Sequence, residues 1–395
     1  MSNKILVING GSSSIKYQLM EAKDFKLITS GICERIFVDG NFVNKIGDRK
    51  IEIKTKMENH NQAFDFMVNY FIDNGLIKNI DEIIGVGHRV VHGGSKIKDS
   101  KVIDKDVISI IKECIKFAPL HNEPELEVIN VSMQKFKKAT HVAVFDTSFH
   151  NTIPLENKRY AIPREWEEKY GVVRYGMHGT SYKYITQEMS KILKNNKPNL
   201  IICHLGNGCS ICSVKDGKSF NTSMGLTPLE GLIMGTRSGD IDPSIIEYIC
   251  LQTKKDVIEV TSDLNKKSGM MGMIGMSDYR DVIKNLKKPD VAMAFKIVVN
   301  RIAYYILRYY NELQGKCDGL VFTAGIGENT PIIRQAIVDA IKIVKLKLDS
   351  KKNNSKFEGY KLISSPNSAI KIYVMSTNEE LMIAKEVKRL LNKHK

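Results

Sequence analysis

No run of this 395-residue chain stays apolar long enough to cross a bilayer. The strongest contender, Val298–Leu307, is broken by Arg301 and closed by Arg308, far short of the roughly 20 residues that a helical span needs. No secretory leader is expected either. The first apolar stretch, Ile5–Ile8, is shorter than a signal core and runs straight into glycines. Seven cysteines without a leader argue for reduced thiols in the cytoplasm rather than a disulfide framework. The Cys-x-x-Cys at Cys209 and Cys212 follows a glycine turn and continues as strand, where a redox motif requires a helix, so both thiols read as packing rather than zinc or thiol chemistry. Acidic residues are outnumbered, 44 against 59 lysines and arginines. The lysines are dispersed, however, and the densest stretch, Lys345–Lys361, lacks an interleaved aromatic platform. Neither a nucleic-acid nor a membrane partner is expected, and the positive surface suits small anions.

Two familiar nucleotide signatures are also missing. Lys218 and Ser219 imitate the end of a P-loop, but Cys212 stands where its first glycine is needed. Gly-x-Gly occurs at Gly85/Gly87, Gly206/Gly208 and Gly325/Gly327, with Val90, Ile211 and Thr330 in place of the third glycine of a dinucleotide fingerprint. What the chain has instead is one arrangement in several copies: a short apolar run followed by a turn of Gly, Asn and Ser. The copies are Ile5–Lys16, Ile201–Ser210 and Gly319–Asn329. Each reads as a buried strand ending in a tight turn whose backbone N–H groups can face an anion. Three such turns imply a polyphosphate ligand.

Strand-like runs at Lys4–Ile8, Ile83–Val91 and His141–Phe145 alternate with amphipathic helical stretches at Lys105–Phe117 and Glu125–Lys137. A second block after Asp146 repeats the alternation: helix Tyr182–Leu193, strands near Leu200–Cys203 and Ile211–Val214, helix Asp290–Leu313, strands Leu320–Thr323 and Ile372–Met375, and a last helix. The pattern is α/β, with a hint of two related halves. Thr377 and Glu380 form a capping box for the last helix, placing Glu379 in its first turn. The glycines of Ser268–Met276 predict a flexible loop there.

Polar clusters sit within apolar surroundings at 87–94 (GHRVVHGG), 145–150 (FDTSFH), 175–181 (YGMHGTS) and 235–240 (GTRSGD). With NGGSSSIK, HLGNGCS, TPLEGLIMGTRSGDIDP, FTAGIGEN and TNEEL, they run in order along the whole chain, which resembles the acetate kinase family throughout. The resemblance implies two related ribonuclease-H-like domains facing a nucleotide cleft, the actin/Hsp70/sugar-kinase-like fold. Residues 1–150 with helix 378–395 form one domain and 151–377 the other. It also implies reversible phosphoryl transfer between ATP and acetate, giving acetyl phosphate and ADP, with Mg²⁺ (Mn²⁺ as a substitute), in a cytoplasmic homodimer.

By the same resemblance, Arg89 binds the acetate carboxylate or acetyl phosphate, while Arg237 and His178 grip the transferring phosphoryl together with Asn207. Planar guanidinium groups suit that work better than lysine, because phosphoryl transfer rests on aligning the acceptor and neutralising charge. Asp146 becomes an acid/base or orienting residue; since acetate carries no proton to abstract, positioning is favoured. Asn9 and Glu379 match the magnesium positions. Ser12, Ser14 and Lys16 on the first turn, His204, Leu205, Gly206, Asn207 and Gly208 on the second, and Gly325, Ile326, Gly327, Glu328 and Asn329 on the third match the nucleotide loops. Asp278, Tyr279 and Arg280 match the adenosine side. His121 adds a polar group near the acyl end, and Val91, Leu120, Met177 and Pro228 match the apolar lining, with Met177 replacing the usual phenylalanine. Glu123 replaces a usual proline. A propionate or broader short-chain acyl kinase shares all of these residues. A non-catalytic ATP-binding regulatory module of the same fold would need the turns but not Arg89, His178 and Arg237.

Overall fold

The computed structural model describes residues 3–393. The chain packs as two compact units, Met1–Ser148 with Asn378–Lys395, and Phe149–Thr377. The first holds strands β1 (Lys4–Gly11), β2 (Ser14–Glu21), β3 (Leu27–Glu34), β4 (Asn41–Ile46), β5 (Arg49–Lys54), β6 (Ile83–Val90), β7 (Lys101–Val102) and β8 (Thr140–Phe145), in the order β5-β4-β3-β2-β1-β6-β8-β7. β1 through β5 are antiparallel neighbours, whereas β1–β6 and β6–β8 are parallel.

The apolar start of β1 is covered on both faces, which is why it reads as an unbroken hydrophobic run. Leu6 and Ile8 join the core with Ile15, Tyr17, Phe42 and Phe64. Ile5 and Val7, one residue out of phase, pack with Ile383, Ala384 and Val387 of the helix Glu379–Lys393. That helix lies on a stripe of missing side chains: a Cβ at Gly85 or Gly87 would fall 2.5 Å from Val387 or 2.4 Å from Ile383.

The second unit holds β9 (Leu200–Leu205), β10 (Cys209–Lys215), β11 (Lys218–Thr222), β12 (Gly319–Thr323), β13 (Tyr360–Leu362) and β14 (Ile372–Met375), in the order β11-β10-β9-β12-β14-β13. Its scheme repeats the first: a hairpin-connected antiparallel side (β11-β10-β9 against β3-β2-β1), two parallel strands beyond it (β12-β14 against β6-β8), and a short antiparallel edge strand. The two halves thus share ribonuclease-H-like topology, with β4 and β5 as an extension of the first.

Several expectations need correction. Strands β2–β5 were not foreseen. The helix expected at Glu125 begins at Pro119, because proline suits a first helical turn, where its missing N–H is not needed. Ser268–Met276 is not a loop but carries the helix Gly269–Ile274. Backbone hydrogen bonds from Ser268, Met270 and Met271 to Thr236, Met234 and Gly235 outweigh the glycines' poor helix propensity. The last helix is capped by Asn378, whose Oδ1 accepts from Leu381 N–H at 2.9 Å; Thr377 Oγ1 instead meets Ser181 Oγ at 2.8 Å. The third phosphate-type turn is the short helix Ala324–Asn329 rather than an open loop.

His88 and His141 stack inside the first unit, with His88 Nε2 3.0 Å from His141 Nδ1. His141 Nε2 lies 3.1 Å from the Phe136 carbonyl, which only accepts, so His141 Nδ1 carries the lone pair and His88 is the donor. Burial lowers both pKa values. A folded-state pKa below the unfolded value of about 6.5 gives stability that is complete above that pH and is lost below it, by up to about 1.4 kcal/mol per histidine per pH unit. The urea midpoint is therefore expected to fall as pH drops from 7 to 5; a flat profile would contradict the neutral pair.

Candidate active site

In the first unit the chemistry gathers at the carboxyl ends of adjacent strands, where open α/β sheets place their ligands. Asn9 lies near the end of β1, Arg89 near the end of β6, and Asp146 just past β8. β6 and β8 are in register, Val90 opposite Phe145, so Arg89 reaches Asp146 directly. Its Nε and Nη2 both donate to Asp146 Oδ2, at 3.1 and 2.7 Å. Glu379 Oε2 lies 4.0 Å from Arg89 Nε. Burial works against the Arg89 charge, but Asp146, Glu379 and Glu125 outweigh it and raise its pKa. Burial raises Glu379 as well, opposed by Arg89 and reinforced by Asp146 and Glu380.

Nothing in the sequence singles out Glu125. It lies on the helix Pro119–Lys135, and periodicity alone does not tell which of that helix's faces meets β6.

Ser12 and the exposed Lys16 belong to the β1–β2 hairpin, whose last pair is Gly11 and Ser14. Lys16 pairs across to Asn9, so the two share a face, and both line a cavity of about 330 Å³ with Glu380. Gly10 is required by packing, since a Cβ there would meet Val128 at 2.8 Å. Val91 is buried, whereas Leu120 on the first turn of its helix is 58% exposed. His121 is half-buried beside it.

The second unit holds the other set. His178 adopts φ +94° as the residue preceding helix Gly179–Leu193, a left-handed conformation that costs a non-glycine residue about 1–3 kcal/mol. Its Nδ1 lies 2.7 Å from Ser210 Oγ, which Tyr182 Oη also reaches at 2.5 Å. His204 stacks on it with ring centres 4.4 Å apart, and is itself held by Ser181 Oγ at 2.9 Å. A Cβ placed on Gly208 would lie 3.4 Å from His178 Nε2 and 3.7 Å from Arg237 Nη1. The imidazole and the guanidinium thus face one point above the β9–β10 turn, where Asn207 is exposed and Leu205 is buried.

Arg237 Nη1 donates to the Pro228 carbonyl at 3.2 Å. Burial lowers the Arg237 pKa, with Cys209 opposing. Met177 is 2% exposed; its carbonyl accepts from His150 Nε2 at 3.1 Å. The thiols of Cys209 and Cys212 are buried and pushed up to about 12 by desolvation.

The remaining candidates divide. Gly325, Ile326 and Gly327 form the first turn of the helix after β12, entered through Ala324 at φ +65°. Glu328 points back into the protein: its Oε1 accepts from Ala324 N–H at 2.9 Å and Thr377 N–H at 3.2 Å, so it shapes the turn. Asn329 similarly donates to the Gly325 carbonyl at 2.8 Å. Asp278 caps the helix Tyr279–Lys284 and pairs with exposed Arg280, while Tyr279 is buried.

A model of the acetokinase family matches residues 4–385. Acetate kinase of Mycoplasma pneumoniae is 49% identical to this chain over 391 residues, 99% of each. Among solved structures, a propionate kinase from Francisella tularensis aligns with TM-score 0.93 at 42% identity, covering 98% of this chain and 99% of that one. Acetate kinase from Porphyromonas gingivalis aligns with TM-score 0.92 at 35% identity, covering 99% and 100%.

Proposed function

The chain belongs to the acetokinase family, with its actin/Hsp70/sugar-kinase-like fold and acetate kinase function, and on that premise we propose how its residues divide the transfer of a phosphoryl group between ATP and acetate. Arg89 takes the acetate carboxylate. Asp146 orients Arg89 rather than removing a proton, a reading supported by two hydrogen bonds from the guanidinium to a single Asp146 oxygen. An acetate oxygen attacks the γ-phosphorus, the bond to the β–γ bridging oxygen breaks, and ADP leaves with that electron pair. His178 and Arg237 stabilise the equatorial oxygens in flight, with Asn207 at the same turn. The observation that carries this assignment is their joint approach to the face of Gly208. His178 is aimed by Ser210 and Tyr182, so its orientation is fixed before substrate arrives. Ser12, Ser14, Lys16 and the Gly206–Gly208 and Gly325–Gly327 turns serve the nucleotide phosphates.

Asn9 and Glu379 fit Mg²⁺: they offer hard oxygen donors beside a cluster in which one guanidinium faces three carboxyl groups, and this ion keeps waters and phosphate oxygens for its other positions. Bound there, Mg²⁺ supplies neutralisation of phosphate charge. A homodimer is supported by exposed apolar side chains of the second unit, Tyr248 and Leu251 on the helix Ser244–Thr253 and Val257 and Ile258 on Val257–Lys266. Among the described residues no helix is long and apolar enough to cross a membrane. All seven cysteines are unpaired, which supports a cytoplasmic setting.

The test is hydroxamate trapping of acyl phosphate with purified protein, ATP, Mg²⁺ and a series of carboxylates. Acyl phosphate from acetate is expected, and none from any acid would refute the reading. Met177 supplies a flexible thioether where a rigid ring would narrow the pocket. One methylene in an apolar pocket is worth about 1–3 kcal/mol. Propionate is therefore expected to be used more poorly than acetate, and butyrate more poorly still, with Met177→Phe widening the gap. Equal kcat/KM for acetate and propionate would contradict this.

A further inference from the structure

Glu125 is 2% exposed, a carboxyl group sunk in the protein on the helix Pro119–Lys135. Its Oε2 accepts from the Val91 backbone N–H at 3.0 Å. One turn earlier on the same helix, buried Asn122 accepts from His92 N–H at 3.0 Å and donates to the His92 carbonyl at 2.8 Å. The chain leaves β6 at Val90, so residues 91 and 92 have no strand ladder to hold them. The helix supplies those bonds from Asn122 and Glu125, which its period puts on one face. The segment so held begins two residues after Arg89 and includes the apolar Val91. Glu125 also faces the charges of Arg89 and Asp146.

Resting on the acetate kinase reading, we propose that Glu125 is a positioning residue of the acceptor site: by holding the Val91 backbone and backing Arg89, it fixes the guanidinium and the Val91 side chain at the geometry that receives acetate. A buried acceptor serves here because one lost bond frees a backbone N–H as well as the side chain. The carboxyl is also suited to the task electrostatically. Burial pushes it up to about 8 against the pull of Arg89; largely the neutral acid near pH 7, it competes little with the acceptor carboxylate for the guanidinium.

Glutamine keeps the acceptor oxygen and is neutral, whereas alanine removes the bond. Glu125→Gln is expected to stay within about threefold of wild type in every constant. Glu125→Ala is expected to raise KM for acetate about tenfold or more, with KM for ATP and kcat changed by less than threefold; thermal melting of both variants reports folding. An acetate KM within twofold of wild type in Glu125→Ala overturns the proposal. So does a parallel loss of ATP and acetate affinity, or failure of Glu125→Gln to rescue, since these mark a merely structural carboxyl or a required charge. If Glu125→Ala does not fold, Glu125→Gln decides, and a selective rise in its acetate KM overturns the proposal. Wild-type enzyme without acetate-dependent turnover would instead sink the functional reading itself.

Discussion

Replacing Arg237 by lysine is expected to lower kcat/KM by roughly 10²–10³-fold, the usual cost of losing one oriented donor to developing charge, while the melting temperature stays close to wild type. The hydrogen bonds from Arg237 Nη1 to the Pro228 carbonyl at 3.2 Å and, weakly, to Met234 Sδ at 3.7 Å are ones that an ammonium can replace, so little folding energy is at stake. The planar fork is not replaceable. Lysine offers a point charge on a flexible stem, and in a setting that already lowers the Arg237 pKa by burial it gives up its proton far more readily than a guanidinium. The residual activity of Arg237→Lys is therefore expected to decline at high pH more steeply than that of wild type. A folded variant within threefold of wild-type kcat/KM would remove Arg237 from the chemistry.

Gly208→Ala is expected to fold normally and lose about 10²-fold in kcat. The added methyl would sit 3.4 Å from His178 Nε2 and 3.7 Å from Arg237 Nη1, ordinary contact distances, and Gly208 is not among the glycines with positive φ. Nothing in the protein has to yield. What the methyl does occupy is the space in which, on the proposed division of roles, these two side chains meet a phosphoryl oxygen, and a displacement of about 1 Å in a reacting group costs rate on this scale. Full activity in Gly208→Ala, measured by coupled ADP release, would show that the phosphoryl lies elsewhere.

The α/β alternation was legible because the central strands are fully covered: Leu200–Leu205 and Gly319–Thr323 are buried at every position. Strands β3 and β5 were not, since β5 is exposed at most positions and β3 has few buried ones, leaving little hydrophobic contrast to read; β2 does alternate buried Ile15, Tyr17 and Leu19 with Lys16 and Gln18 and was legible though not foreseen. Local rules failed where distant backbone supplied the hydrogen bonds, as in the helix Gly269–Ile274, or where two neighbours competed for one task, as with Thr377 and Asn378 at the last helix. In the site, the motif residues Arg89, Asp146 and Glu379 meet in space, and His178 and Arg237 approach the same face of Gly208. Glu328, read as a ligand for nucleotide, is turned inward by two backbone N–H groups. Glu125 stayed hidden because its importance comes from contact with a segment more than thirty residues earlier, which only the folded chain brings beside it.

The helix Glu379–Lys393 has a consequence for how the protein is made. Its Ile383, Ala384 and Val387 cover Ile5, Val7, Val142 and Val144, so the unit that contains β1 receives its covering helix only after the second unit has been synthesised. At about 5–20 residues per second, synthesis of Phe149–Thr377 inserts a delay of roughly 10–50 s during which that apolar sheet face stays bare on the ribosome. The second unit, contiguous in sequence, has all its parts before the first does. Glu379 arrives with the late helix, so the nascent chain gains the carboxylate that approaches Arg89 and the cover of this core in the same event.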